Sequence, residues 1–179
     1  MAIYNVTMGQ AVYTEELTAG NILATGLDGN YLNSCSAVVM VRNNGGRMAA
    51  GIYHYPAGMI NKDPQSQTVL LLMEMTINPT IIYVGNGIHY KKQQSDYMKA
   101  YFKGGEQEYE QELMTFLRGF DAQIEYGITN GRTFIDSNGN IDYQPDIPDD
   151  YVALNDFKKS THRTIEGLDL EIMWDENGA

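Results

Sequence analysis

The tightest constraint in this sequence lies around residues 35–56. Ser36 to Arg42, with Ala37, Val38, Val39, Met40 and Val41 at its centre, is short and rich in β-branched residues. By composition and length it predicts a buried strand. Asn43-Asn44-Gly45-Gly46 follows, residues that tolerate positive φ, so the chain is expected to turn there. Arg47 to Tyr55 returns as a second strand, and Pro56-Ala57-Gly58 stops it. A hairpin centred on that turn brings its outer ends together. Cys35 starts one strand, and His54 stands near the end of the other, nineteen positions later.

Other elements are weaker but readable. Residues 1–20 carry short apolar and polar alternation, expected as an edge strand or strand pair leading to a turn at Thr18 to Gly20. Ile22 to Thr25 reads as a strand ended by Gly26, Asp28 and Gly29. Asp63 and Pro64 are suited to start a helix, whose apolar stripe runs through Val69, Leu70, Leu72, Met73 and Ile77 until Asn78-Pro79. Thr80 to Val84 predicts a strand, and Gly85-Asn86-Gly87 a turn. Helices are expected over Ser95–Phe102 and Glu106–Leu117. Strands follow at Ala122–Tyr126 and Gly131–Asp136, then a hairpin turn at Ser137 to Asn140 leading to Ile141–Tyr143. Leu168, Leu170, Ile172 and Trp174 recur at period two, a last strand. A helix-and-strand alternation of this kind suits an α/β layered domain. At 179 residues the chain is expected to form one domain, with 144–179 as a C-terminal extension that covers the site, extends a sheet or binds a partner.

Composition narrows the partners. The formal net charge is −11, and the longest basic runs are Lys91-Lys92 and Lys158-Lys159. Phosphate binding needs clustered Lys and Arg, so no nucleic-acid partner is expected; a protein partner, or a small neutral or cationic ligand, suits the charge. No apolar run reaches the ~18 residues of a membrane span, so no membrane insertion is expected. The first residues, Met-Ala-Ile-Tyr-Asn-Val, lack a signal-peptide pattern. A cytoplasmic address is expected, with export by a signal-independent route as the alternative. Thirteen Tyr against five Phe suggest rings packed at surfaces or clefts with wet hydroxyls. The ten Met residues read as core filler.

One cysteine excludes an internal disulfide and leaves two readings for Cys35. It packs as a small hydrophobe, or it is a nucleophile activated by the imidazole facing it. The chemistry would then need a third group to orient His54 and backbone donors for an oxyanion. The other histidines are weaker: His89 reads as structural and His162 as exposed, and the three show no metal-ligand spacing. No metal or cofactor is expected. Gly85-Asn86-Gly87 lacks phosphate-loop and dinucleotide patterns, and Glu106, Glu108, Glu110 and Glu112 read as a solvated helix face.

Leu32-Asn33-Ser34-Cys35-Ser36-Ala37-Val38 resembles the Leu-Gly-Ser-Cys-x-Ala-Val segment of the chemotaxis receptor glutamine deamidases, the CheD family. Ala50-Gly51-Ile52-Tyr53-His54-Tyr55-Pro56 is similar to that family's Gly-rich strand carrying its catalytic histidine. Gly131-Arg132-Thr133-Phe134-Ile135-Asp136-Ser137-Asn138-Gly139 resembles its Gly-Arg strand and turn. The coarse likeness spans Ile22 to Tyr143, but only the Cys and His segments are specific. Toxins of the cytotoxic necrotizing factor type share the Leu-x-x-Cys segment and a following His.

The resemblance implies an α/β fold of layered α-β-β type with mainly antiparallel and mixed strands. It also implies hydrolysis of a protein glutamine side chain through a thioester on Cys35, with His54 as base and Asn33 and Ser34 near the oxyanion. The sequence departs from the family pattern at two points: Asn33 replaces a Gly, and Gly29 stands where the family has a Thr. Thr25 and Asn30 are both candidates for the third catalytic group. The alternatives are an inactive binding or regulatory protein of the same fold, or a secreted effector deamidase acting on a host protein.

Overall fold

The structure, a computed structural model, describes residues 2–32, 35–56, 67–87, 115–157 and 161–174. Its strands are β1 (Ala2–Val6), β2 (Gln10–Thr14), β3 (Asn21–Thr25), β4 (Ser36–Asn44), β5 (Arg47–Tyr55) and β6 (Ile81–Gly87). These are followed by β7 (Gln123–Thr129), β8 (Thr133–Asp136), β9 (Ile141–Asp142), β10 (Val152–Ala153), β11 (Thr161–Ile165) and β12 (Leu168–Trp174). Helix α1 spans Gln67–Met75. The expected helix over Ser95–Phe102 lies outside the described residues. So does most of the one ending at Leu117, of which a helical turn at 115–118 is described.

The architecture is mixed α/β, dominated by two mixed sheets. The larger has the order β11-β12-β2-β5-β4-β6-β7, the smaller β10-β1-β3-β8-β9. Alternation along β5 shows how they stack. Met48, Ala50 and Ile52 enter a core shared with Tyr4, Val6, Leu23 and Ile135 of the small sheet. Ala49, Tyr53 and Tyr55 point the other way, into a core shared with Val69, Leu72 and Met73 of α1. Helix, large sheet and small sheet therefore lie in successive layers. Because β4 is central and covered on both faces, it reads as a continuous apolar run instead of an alternating one. Gly51 lets α1 come close: a Cβ there would stand 2.7 Å from a Leu72 methyl.

The hairpin is regular over its whole length, from Ser36↔Tyr55 to Asn44↔Arg47. Asn43 and Asn44 belong to the strand, and the turn is the Gly45-Gly46 pair alone, with φ of 63° and 87°. Positive φ at both central residues is the turn that matches the twist of two antiparallel strands. α1 ends with Ile77 and Asn78 in left-handed conformation, their N–H groups bonded back to the Glu74 and Met73 carbonyls. The Arg42 guanidinium donates to the exposed carbonyls of Ile77 and Asn78 at 2.7 and 2.8 Å, tying the helix end to β4.

Four expectations need correction. First, β1 and β2 are neither edge strands nor a pair. Gly9, with φ of 82°, sends them to different sheets, where β1 runs parallel to β3 and β2 lies between β5 and β12. Second, Gly85-Asn86-Gly87 is strand, paired residue for residue with Gly127, Ile128 and Thr129. Gly85 serves packing: the Tyr143 ring lies so close to it and to its partner Gly127 on β7 that a Cβ on either would meet the ring. Third, Tyr4, Tyr53 and Tyr55 are fully buried. Burial holds the Tyr143 phenol neutral, its pKa raised to about 12. Fourth, a strand the alternation did not reveal, β11, pairs with β12 at the sheet margin. The segment after Gln144 thus extends both sheets, through β10 in one and β11 and β12 in the other. No helix among the described residues is long and apolar enough to cross a membrane.

Candidate active site

The site forms where the outer end of the hairpin meets the end of β3. His54 follows Met48, Ala50 and Ile52 on the face of β5 that looks at the small sheet. It is completely buried. Directly opposite stands Thr25, the last residue of β3, whose Oγ1 is 2.7 Å from His54 Nδ1. The same hydroxyl is 2.8 Å from the Val6 carbonyl oxygen, which can only accept. The hydroxyl has one hydrogen and gives it to Val6, so the Nδ1–H must donate to Thr25. That logic places the proton on Nδ1 and leaves Nε2 with its lone pair. Nε2 is buried and has no hydrogen-bond partner among the described residues.

Cys35 lies just before β4. The register pairs Ala37 with His54, where a four-residue turn would have paired Cys35 with it; Cys35, two positions before Ala37, stands diagonally from His54 if the alternation of β4 is continued by one residue. Diagonal neighbours in an antiparallel pair have Cβ atoms within roughly 7–8 Å, inside the combined reach of a Cys and a His side chain. Ala37 is small, so nothing bulky on the strand stands between them. Leu32 packs on Cys35 and Ala37 in a cluster of its own, leaving the cysteine 7% exposed.

Of the two candidates for a third group, the structure brings Thr25 to the imidazole. Asn30 goes elsewhere: its side-chain amide donates to Thr7 Oγ1 at 2.8 Å, and its backbone N–H to Asp28 Oδ1. These bonds fix the loop after β3, as do Leu27 N–H to Asn5 Oδ1 and Leu32 N–H to the Gly131 carbonyl. Gly29, where the resemblance would put a Thr, has φ of 90° and no neighbour a Cβ would meet. A threonine from β3 thus occupies the place beside Nδ1 that the loop does not fill. Asn33, Ser34 and His89 lie outside the described residues. His162 is exposed on β11, with Nε2 3.8 Å from Asp169.

Sequence reasoning missed Thr133. It pairs with Thr25 across β3 and β8 on the same face, is fully buried, and its Oγ1 has no hydrogen-bond partner among the described residues. The signal was weak: Phe134 and Ile135 mark a strand, but nothing local says which hydroxyl faces a site.

Burial depresses the His54 pKa from 6.5 to about 4, a drop that the nearby Asp28 charge partly offsets. The imidazole is therefore neutral at pH 7, ready to accept a proton. The unfolded chain binds this proton at higher pH than the folded one, so stability rises with pH across the interval. The contribution is complete above about pH 6.5 and is lost as pH falls toward 4. A shift of this size corresponds to something on the order of 3 kcal/mol. Urea unfolding at pH 7.5 and 4.5 should show a larger loss for the wild type than for His54→Gln.

No protein-family model matches this sequence, and comparison with curated proteins finds no match.

Proposed function

We propose that the chain is a Cys–His amidohydrolase of CheD-like type that converts a glutamine side chain of a protein substrate to glutamate. The observation that carries the reading is the Thr25–His54 bond. A buried, neutral imidazole has its Nδ1 proton fixed by a threonine, and its cross-strand partner Ala37 follows the chain's only cysteine by two residues. A core histidine that served packing alone would be expected to satisfy both nitrogens.

In this mechanism Cys35 attacks the carboxamide carbon as Nε2 takes the thiol proton. Because burial disfavours the imidazolium, transfer accompanies attack, and no standing ion pair is needed. The proton then passes to the departing ammonia. The acyl group remains on sulfur as a thioester until water cleaves it. Backbone N–H groups around Cys35 would hold the oxyanion. Thr25 fixes the tautomer and the ring plane. Thr25→Val is expected to slow acylation by up to about a hundredfold through misplacement of the ring. It should also cost about 1–3 kcal/mol, since it leaves the buried Nδ1–H without its acceptor and removes a donor from the Val6 carbonyl. Thr25→Ser should retain most of both; stopped-flow acylation and urea unfolding measure the two effects.

A second reading is favoured by one observation, the burial of Cys35 beneath Leu32. It is a binding or regulatory protein that keeps the fold without the reaction. Treating a cell extract with the wild-type chain or with Cys35→Ala, then mapping Gln-to-Glu changes by mass spectrometry, separates the two. Conversions at particular glutamines that depend on Cys35 support the deamidase. An extract left unchanged by both proteins favours the binding protein.

A further inference from the structure

Two fully buried residues at the hairpin end carry polar atoms with no hydrogen-bond partner among the described residues: His54 Nε2 and Thr133 Oγ1. A buried hydroxyl left unpaired costs stability, and such groups call for a reason. Their placement suggests one.

β3 lies over β5, and β1 over β2 and β5. The small sheet runs β1-β3-β8 while the large one runs β2-β5-β4, so β8 is the next strand of the small sheet on the side where β4 is the next of the large one. Along its length, β8 starts at the His54 end. Gly139, in the turn that follows it, lies close to Met48 at the opposite end of β5, where a Cβ would be 3.4 Å from the Met48 sulfur. Ile135, on the same face of β8 as Thr133, packs in the core that holds Val39 and Val41 of β4. Thr133, two residues before Ile135 on that face, stands at the end of β8 that pairs with Thr25. Its cross-strand neighbour Thr25 already touches the imidazole.

We propose that Thr133 Oγ1 and His54 Nε2 together seat the water that hydrolyses the acyl-enzyme; this rests on the Cys–His amidohydrolase reading. Water gives one proton to Nε2 while its oxygen bonds the thioester carbonyl carbon. The carbon–sulfur bond then breaks, and Nε2 returns the proton to the Cys35 sulfur. The Thr133 hydroxyl bonds the same water and holds its lone pair toward the carbonyl. The Thr133 side chain would thus act in the second half of the reaction and favour water over an amine as the acyl acceptor.

The test uses p-nitrophenyl acetate at pH 7, which acylates a reactive thiol without a known protein substrate. The wild type should release a burst of one p-nitrophenolate per chain, dependent on Cys35, followed by slower turnover. Thr133→Val should keep the burst but turn over at least tenfold more slowly, accumulating acetyl-Cys35 by mass spectrometry. Hydroxylamine, which needs no seated water, should restore its turnover, and Thr133→Ser should behave like the wild type. Thr→Val is nearly isosteric and removes an unpaired hydroxyl, so the variant should melt no lower than the wild type. Turnover unchanged in Thr133→Val, or burst and turnover falling together, overturns the proposal. A wild type with no Cys35-dependent burst overturns the amidohydrolase reading and this inference with it.

Discussion

His54→Gln is expected to slow acylation of Cys35 by p-nitrophenyl acetate by about 10²–10⁴-fold, the range general-base catalysis supplies. The imidazole is the group that takes the thiol proton, and the substitution removes it. Glutamine is of similar length, and its amide can still donate to Thr25 Oγ1, so the link between β5 and β3 should survive. The loss should therefore appear in the rate and not in the fold: the far-UV circular dichroism and the urea midpoint at pH 7.5 should stay near wild type. A rate within a few-fold of wild type would remove His54 from the reaction.

Gly26→Ala should have the largest effect on stability. Gly26 follows Thr25 directly, with φ of 91°, and a Cβ there would stand 2.1 Å from the Gly131 carbonyl oxygen. The obstacle is backbone, which cannot rotate aside as a side chain could. Left-handed strain alone costs an alanine roughly 1–2 kcal/mol. Relief of the contact would also separate the loop carrying Leu32 from the strand carrying Thr133, breaking the Leu32 N–H to Gly131 bond. The combined cost should reach at least about 3 kcal/mol, among the larger effects of single substitutions. Urea unfolding measures it. The change should also loosen the Leu32 cap, so whatever folded protein remains should expose Cys35 more.

The hairpin was legible because everything that defines it is local: a β-branched run, a Gly45-Gly46 turn and a return strand ended by proline. The exact register was not: a turn of four residues at 43–46 would set Cys35 opposite His54, whereas the two-residue turn at Gly45-Gly46 moves the register by two and sets Ala37 there. Nor was partner choice between distant strands. The parallel contact of β1 with β3 and the stack of β3 over β5 depend on surfaces far apart in sequence, and no periodicity encodes them. Thr25 was accordingly readable only as one of two candidates near the cysteine, level with Asn30. What separates them is geometric: Thr25 ends a strand that crosses over His54, while the Asn30 amide is spent on Thr7. Gly85 and Gly87 read as a turn because glycine usually marks one. Here the bare backbone of Gly85 receives the ring of Tyr143, a contact from more than fifty positions away. β11 escaped notice because His162, Arg163 and Thr164 are exposed on a margin strand and carry no apolar alternation.

The burial of Cys35 under Leu32 defines what an assay must overcome. Cys35 is 7% exposed, so a small electrophile is a more direct probe of the sulfur than a protein glutamine. The most direct test of the central claim is therefore alkylation of Cys35 by iodoacetamide in the folded chain, compared between wild type and His54→Gln at pH 7. The folded wild type should be labelled at Cys35 without unfolding, and His54→Gln should lower the rate at least tenfold while leaving the melt unchanged. Labelling that appears only when urea unfolds the chain, at equal rates in both proteins, would contradict that claim and make Cys35 a core residue.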